Sequence, residues 1–131
     1  MISEVDLGWL AGILEGEGCF AINSYTPIVQ IEMTDEDVVH RVASVMERVI
    51  GRPVKVYCGN GSRLIATNRQ ETYAIKLCGD SARIVMSLIV RLMGKRRRQK
   101  IWQVLNGHKP KPIPMKQVKD LISNIVYMRK P

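Results

Sequence analysis

Acidic side chains nearly run out in the second half of the chain. Residues 67–131 hold three Asp or Glu against fifteen Lys or Arg, whereas 1–66 hold nine against five. The 131 residues together carry a formal charge of +8, with an isoelectric point near 9.7. Such a balance favours polyanionic partners, nucleic acid or an acidic membrane. Its split into an acidic early half and a basic late half is better explained by a surface with separate jobs than by solubility alone.

Cysteine and histidine are scarce too. Cys19, Cys58 and Cys78 are odd in number and form no CxxC pair, and with His40 and His108 they match no zinc pattern. Reduced thiols in an intracellular protein are the expectation, in cytoplasm, nucleoid or an organelle matrix. Long apolar runs are missing. The most apolar one, residues 84–93, contains Arg91 and is too short for a bilayer, and no signal peptide opens the chain, so no membrane partner is expected. What remains is a 131-residue chain with 46% hydrophobic residues, enough for one domain with its own core and too apolar for disorder.

Periodicity predicts an alternation of helices and hairpins. Ser3 caps a helix with Leu7, Leu10, Ala11 and Leu14 at helical spacing, stopped by Gly16 and Gly18. Residues 19–25 and 28–33 alternate as two strands around a turn at Pro27; Val29, Ile31 and Met33 share one face, Ile28, Gln30 and Glu32 the other. Thr34-Asp35-Glu36-Asp37 reads as a capping box for a helix striped by Val38, Val42, Val45, Met46 and Val49, ended by Gly51 and Pro53. A second hairpin is expected over 54–58 and 72–78, flanking a polar stretch with Arg63, Asn68 and Arg69. A third helix, capped by Asp80 or Ser81, runs to Met93 with Gly94 as its stop. A fourth spans 96–106, and after Pro110, Pro112 and Pro114 a last one covers 115–129.

This order implies an α+β fold, a single domain over 1–131 with its core in about 3–107. Its antiparallel sheet should carry helices on one face. By alternation the other face would present Asn23, Tyr25, Gln30, Glu32, Lys55, Tyr57, Thr72 and Lys76. A pleated surface of hydrogen-bonding and cationic groups suits the DNA major groove. These residues alone leave that reading level with an ordinary solvated sheet face.

One stretch breaks the helical rules. Leu10 to Gly18 reads LAGILEGEG, with three glycines and two carboxylates where a helix ends. A glycine costs a helix interior about 1 kcal/mol against alanine. A carboxylate near the C-terminus opposes the helix dipole by roughly 0.3–1 kcal/mol. The stretch closely resembles the signature of the LAGLIDADG homing endonucleases: Leu10, Ala11, Gly12 and Gly18 are identical to it, Ile13, Leu14, Glu15 and Glu17 are conservative replacements, and Gly16 stands where the pattern has alanine. The element order is similar to that family's αββαββα core, and one motif copy in a short chain looks like its homodimeric branch.

The resemblance implies a site-specific endonuclease that cuts both strands of a long, nearly palindromic double-stranded DNA by metal-dependent phosphodiester hydrolysis, leaving 5′ phosphates and short 3′ overhangs across the minor groove. Gly8, Ala11, Gly12 and Glu15 would form the homodimer interface. Glu17, with the carbonyl of Gly16, would bind Mg²⁺ or another divalent ion such as Mn²⁺, a hard cation that takes oxygen ligands. Asp35 resembles a polar position in the family's solvent pocket. Lys95 or Arg96 fits a basic catalytic position after the third helix. The neighbouring Arg97, Arg98 and Lys100 would hold backbone phosphates, beside base contacts from the sheet face and from Arg63, Asn68 and Arg69. Two alternatives share the fold: a maturase whose partner is intron RNA, and a catalytically silent DNA-binding protein. An acid retained at position 17 favours cleavage.

Overall fold

The computed structural model describes residues 2–59 and 71–107, together with 116, 119, 120 and 123. Apart from those four positions, the expected helix over 115–129 lies outside the described residues, as does the stretch with Arg63, Asn68 and Arg69.

Helix α1 spans Glu4–Glu17. Ser3 caps it, its Oγ accepting from the Asp6 N–H at 3.1 Å, which satisfies one of the donors a helix start leaves over. Leu10, Ala11 and Leu14 are buried. Gly16 does not stop this helix as expected: the ladder continues until the Gly18 N–H donates to the Leu14 carbonyl, and β1, Gly18–Asn23, begins at that residue. The chain therefore turns from helix to strand without a loop. The reason lies in Gly18: a Cβ there would sit 2.6 Å from the Leu14 carbonyl oxygen, a backbone atom that cannot step aside.

Strand β2 is Thr26–Met33. The hairpin turns at Ser24 and Tyr25, both at positive φ (49° and 67°), which fits a two-residue turn whose twist matches the strands. Pro27 is thus a strand residue opposite Ile22, not the turn, in keeping with proline's tolerance near a strand start. Helix α2 follows at Glu36–Ile50, with Asp35 as its cap residue but no capping bond from its side chain, and Gly51 in the left-handed conformation at its end. The capping box expected from Thr34 is therefore not formed. The buried stripe is Val39, Val42, Ala43, Val45 and Met46, centred one position beside the expected one, so Val38 and Val49 are only half-buried.

Strand β3 is short, Tyr57–Gly59, and pairs with β4, Thr72–Cys78. Helix α3 is Asp80–Ile89, preceded by Gly79 at φ 66°, so the glycine turn and not an Asp80 or Ser81 side chain starts it. A 3₁₀ turn, Val90–Leu92, leads through Met93 and Gly94 into α4, Lys95–Gly107. Gly94 is the entry to α4, its carbonyl taking the Arg98 N–H at 2.9 Å.

All four strands join one antiparallel sheet in the order β1-β2-β4-β3. Its inner face contributes Phe20, Val29, Ile31, Ile75 and Leu77 to a single core with Leu10 and Leu14 of α1, Met46 of α2, Met86 and Ile89 of α3 and Ile101 of α4. The expected αββαββα core of an α+β domain is therefore present, with α4 added. Arg48 ties α2 to α1 through Asp6 at 2.9 Å. The Ser3 hydroxyl and then the Arg48 guanidinium hold the Asp6 carboxyl below its ordinary range.

Two outcomes are expected of these contacts. Gly18→Ala should destabilise the fold by roughly 1–3 kcal/mol, the usual range for overpacking, read as a lowered urea midpoint. A depressed carboxylate pKa contributes stability above the unfolded value and loses it as pH falls through the folded one. The gap in urea midpoint between wild type and Asp6→Asn should therefore be present at neutral pH and shrink as the pH falls below 3.8, the ordinary value for this carboxyl.

Candidate active site and nucleic-acid face

The end of α1 brings together Glu15, Gly16 and Glu17 with the basic start of α4. Glu17 is the last residue of α1 and exposed. Beyond the Leu14 carbonyl the helical ladder has no further acceptors to fill, so the carbonyls of residues 15–17 lie past its end. These oxygens sit at the negative pole of the helix dipole, and no basic residue occupies the last turn of α1. An exposed carboxylate beside helix-end carbonyls is a hard-oxygen donor set of the kind a divalent ion takes. Among the described residues no group of three or more His, Cys, Asp and Glu side chains could hold a metal.

Glu15 is differently placed. It is half-buried; its Oε1 accepts from the Gly94 N–H at 3.0 Å, while its Oε2 is buried with no partner. Its carbonyl accepts from Arg97 Nε at 3.1 Å, and the Arg97 guanidinium lies 5.7 Å from the centre of the Phe20 ring. The start of α4 is thereby fastened to the end of α1, although 79 residues separate Glu15 from Gly94.

That start is unusually basic. Lys95, Arg96, Arg97 and Arg98 occupy the first turn of α4 without an acidic residue, where each cation opposes the dipole by roughly 0.3–1 kcal/mol. Their duties differ. Arg97 is held on Glu15, and Arg98 donates to the Met93 carbonyl at 3.1 Å, bracing the turn before α4. Arg96, Arg97 and Lys100 line a cleft of about 290 Å³ with Gly18, Cys19 and Phe20. Of the two residues expected at the basic position, Arg96 lines the cleft beside Gly18, the residue after Glu17, whereas Lys95 is exposed and does not line it.

Asp35 is exposed at the entry to α2. Gly18 pairs with Ile31, so the exit of α1 and the entry to α2 share one end of the β1–β2 hairpin. Burial and then the charge of the neighbouring Glu36 push the Tyr73 phenol up to about 12, and its hydroxyl donates to Glu71 Oε2 at 3.3 Å.

On the outer sheet face the register sets side chains in rows. Cys19, Gln30 and Lys76 lie side by side, then Ala21, Ile28 and Cys78; on the other side come Glu32, Ala74 and Tyr57. Thr72 donates to Glu32 at 2.8 Å, and the Lys55 ammonium lies 4.9 Å from the centre of the Tyr57 ring. Asn23 ends β1 and is exposed. Tyr25 is corrected from the sheet face to the hairpin tip, because the turn falls at Ser24 and Tyr25, two residues before the expected one at 26–27. Cys19 is exposed on this face, because Phe20 takes the inward position next to it. The alternation around Phe20 was the signal for it.

The face of α1 opposite its buried side is flat and apolar. Gly8, Gly12 and Gly16 are exposed four residues apart, and a Cβ added at any of them would meet nothing within 4 Å. Val5, one more turn back, is 76% exposed. Ala11 does not belong to this face: it is 3% exposed and faces the chain's own core, one helical step round from Gly12. Glu15, for its part, is committed to Gly94 within the chain.

No protein-family model matches the chain, and no curated protein matches it. Among solved structures it is similar to the homing endonuclease I-CvuI, crystallised in complex with its target (Sro1.3) in the presence of 2 mM Ca. The two share 12% identity over 93% of this chain and 95% of that one, with a TM-score of 0.48. At that distance the likeness says nothing of residue roles, which rest on the motif and the geometry above.

Space around the α1 glycines makes a direct test available. Gly12→Leu meets nothing within 4 Å at its Cβ among the described residues, so the variant should still fold cooperatively, while any close approach of a second helix to this face would be blocked. Size-exclusion chromatography of the two proteins at equal concentration should show the variant eluting later, as the smaller species.

Proposed function

We propose that the chain is a site-specific DNA endonuclease that acts as a homodimer and hydrolyses one phosphodiester in each strand of a nearly palindromic duplex. The observation that carries this reading is the combination at α1. A motif helix ends in an exposed Glu17 beside a cationic cleft, and it carries a glycine face that the described residues leave uncovered. Each glycine costs the helix about 1 kcal/mol against alanine, and among the described residues nothing uses the space this opens. A second copy of the same helix, packed about a twofold axis, would use it, because missing side chains let backbones approach closely. Two copies of Glu17 then stand near the same seam, one for each strand.

Glu17 and the Gly16 carbonyl would hold Mg²⁺ or Mn²⁺. Such an ion, when bound, offsets charge on the phosphate and makes a bound water more acidic. The chain's own residues do the rest. Arg96 in the cleft, with exposed Lys95 and Lys100, attracts the phosphate and stabilises the extra negative charge that builds as water adds to phosphorus. Asp35, uncommitted as a helix cap, accepts a hydrogen bond from the attacking water. The P–O3′ bond breaks, giving a 3′ hydroxyl and a 5′ phosphate.

The outer sheet face would lie in the major groove of each half-site. Gln30 and Lys76 match adenine and guanine edges, Glu32 can accept from a cytosine amine, and Ile28 and Ala21 suit a thymine methyl. Tyr25 at the tip, Lys55, Tyr57, Thr72 and Asn23 extend the same surface. Intron RNA is the partner in the maturase reading, which no observation at α1 favours over DNA.

The test is a selection for duplexes bound from a randomised library, followed by cleavage of the selected sites with Mg²⁺ or with EDTA. Wild type should cut both strands only with the metal. Glu17→Gln should keep its affinity within about twofold but lose cleavage by roughly 10³ or more, the scale on which a lost group that stabilises transition-state charge registers. Unimpaired cutting by Glu17→Gln would remove the assigned ligand. Tight binding without cutting by wild type would leave the silent DNA-binding protein as the reading.

A further inference from the structure

Glu15 stands in the motif beside Glu17, yet its surroundings differ in every respect. One carboxylate oxygen is spent on the Gly94 N–H and the other is buried, so neither is open to an ion from solvent, whereas Glu17 is exposed. What Glu15 touches is the entrance of α4. Gly94 is the residue whose carbonyl opens the α4 ladder, and Arg97 in the first turn returns a hydrogen bond to the Glu15 carbonyl. The same guanidinium leans on Phe20 of β1. Side chain to backbone, backbone to side chain and cation to ring, these contacts join three elements at one corner.

The corner is also sterically specific. A Cβ on Gly94 would come 2.5 Å from Glu15 Oε1, so only glycine leaves the carboxylate its place. A carboxylate at the positive end of α4 further offsets the dipole that its four basic residues oppose.

We infer that Glu15 is a positioning residue: it sets the start of α4, and with it Arg96 and Lys95, in register with the Glu17 end of α1. The inference rests on the nuclease reading above. Glu15 touches neither metal nor phosphate; it acts through the basic residues whose backbone it anchors. The two acids of LAGILEGEG then have separate duties, one facing out to the reaction and one facing in to hold the cationic wall of the cleft.

The test has an arm that needs no cleavage. In the full-length chain the Gly94 amide should be protected from hydrogen exchange and lose that protection in Glu15→Ala, because local opening governs exchange. In single-turnover cleavage of bound, library-selected duplex with Mg²⁺, Glu15→Ala should slow the rate constant by roughly ten- to a hundredfold, as a misplaced catalytic group does, with affinity for the duplex held. Glu15→Gln, which keeps an acceptor oxygen for Gly94, should restore both exchange protection and rate. Should Glu15→Ala fail to fold, Gly94→Ala displaces the carboxylate from the other side and should give the same slowing.

Unchanged Gly94 exchange in Glu15→Ala would overturn the contact. Lost protection with an undiminished rate would overturn the positioning role, as would a loss of affinity equal to the loss of rate. If wild type does not cut at all, the nuclease reading fails and the positioning role with it, while the exchange arm still decides whether Glu15 holds α4.

Discussion

The turn from α1 into β1 at Gly18 is the constraint on which the rest depends. The Gly18 N–H closes the last helical bond onto Leu14, and its missing Cβ lets the strand start against that same carbonyl. Leu14 is fully buried, so the turn is anchored in the core and cannot drift. Everything chemical nearby inherits its position from this point. Glu17 is the last residue before it, Gly18 itself lines the cleft with Arg96 and Lys100, and β1 carries Phe20 inward and Cys19 outward. The price of putting an acid there is its opposition to the helix dipole, a penalty that a bound cation would turn into an attraction.

The α1 helix therefore has three separate sides. Leu10, Ala11 and Leu14 belong to the core, Gly8, Gly12 and Gly16 are bare, and Glu15 reaches the start of α4. The sheet divides in a similar way, with an apolar inner face closing the core and an outer face of Gln30, Lys76, Glu32 and Tyr57 left open. Under the proposed function these two surfaces would each be covered, one by another helix and one by a groove.

Much of this was legible in the sequence, and the failures have physical causes. The strand pattern Val29, Ile31 against Gln30, Glu32 predicts the buried and open faces correctly, because alternation reports the pleat directly. The helix stripes were nearly right, and Ala11 shows the limit: next to a glycine, its size suits an interface as well as a core, and only packing tells which. Caps were read less well. Asp35 and Asp80 have the right chemistry for helix starts, but a glycine turn at Gly79 and a bare entry at Asp35 replaced side-chain capping. Pro27 looked like a turn because proline suits turns, while the real turn was set by two residues, Ser24 and Tyr25, that carry weaker signals. The pairing of Glu15 with Gly94 had no local signal at all, being a contact across 79 positions. Once seen, it separates the roles of the two acids that the motif presents side by side.

The central claim is that one chain carries half of a site and that the bare face of α1 is where the other half joins. Sedimentation equilibrium of the unmodified chain, free and with a selected duplex, tests it most directly. The expected protein mass in both samples is twice the 14.8 kDa of one chain. A single chain bound to a duplex that it cuts in both strands would contradict it.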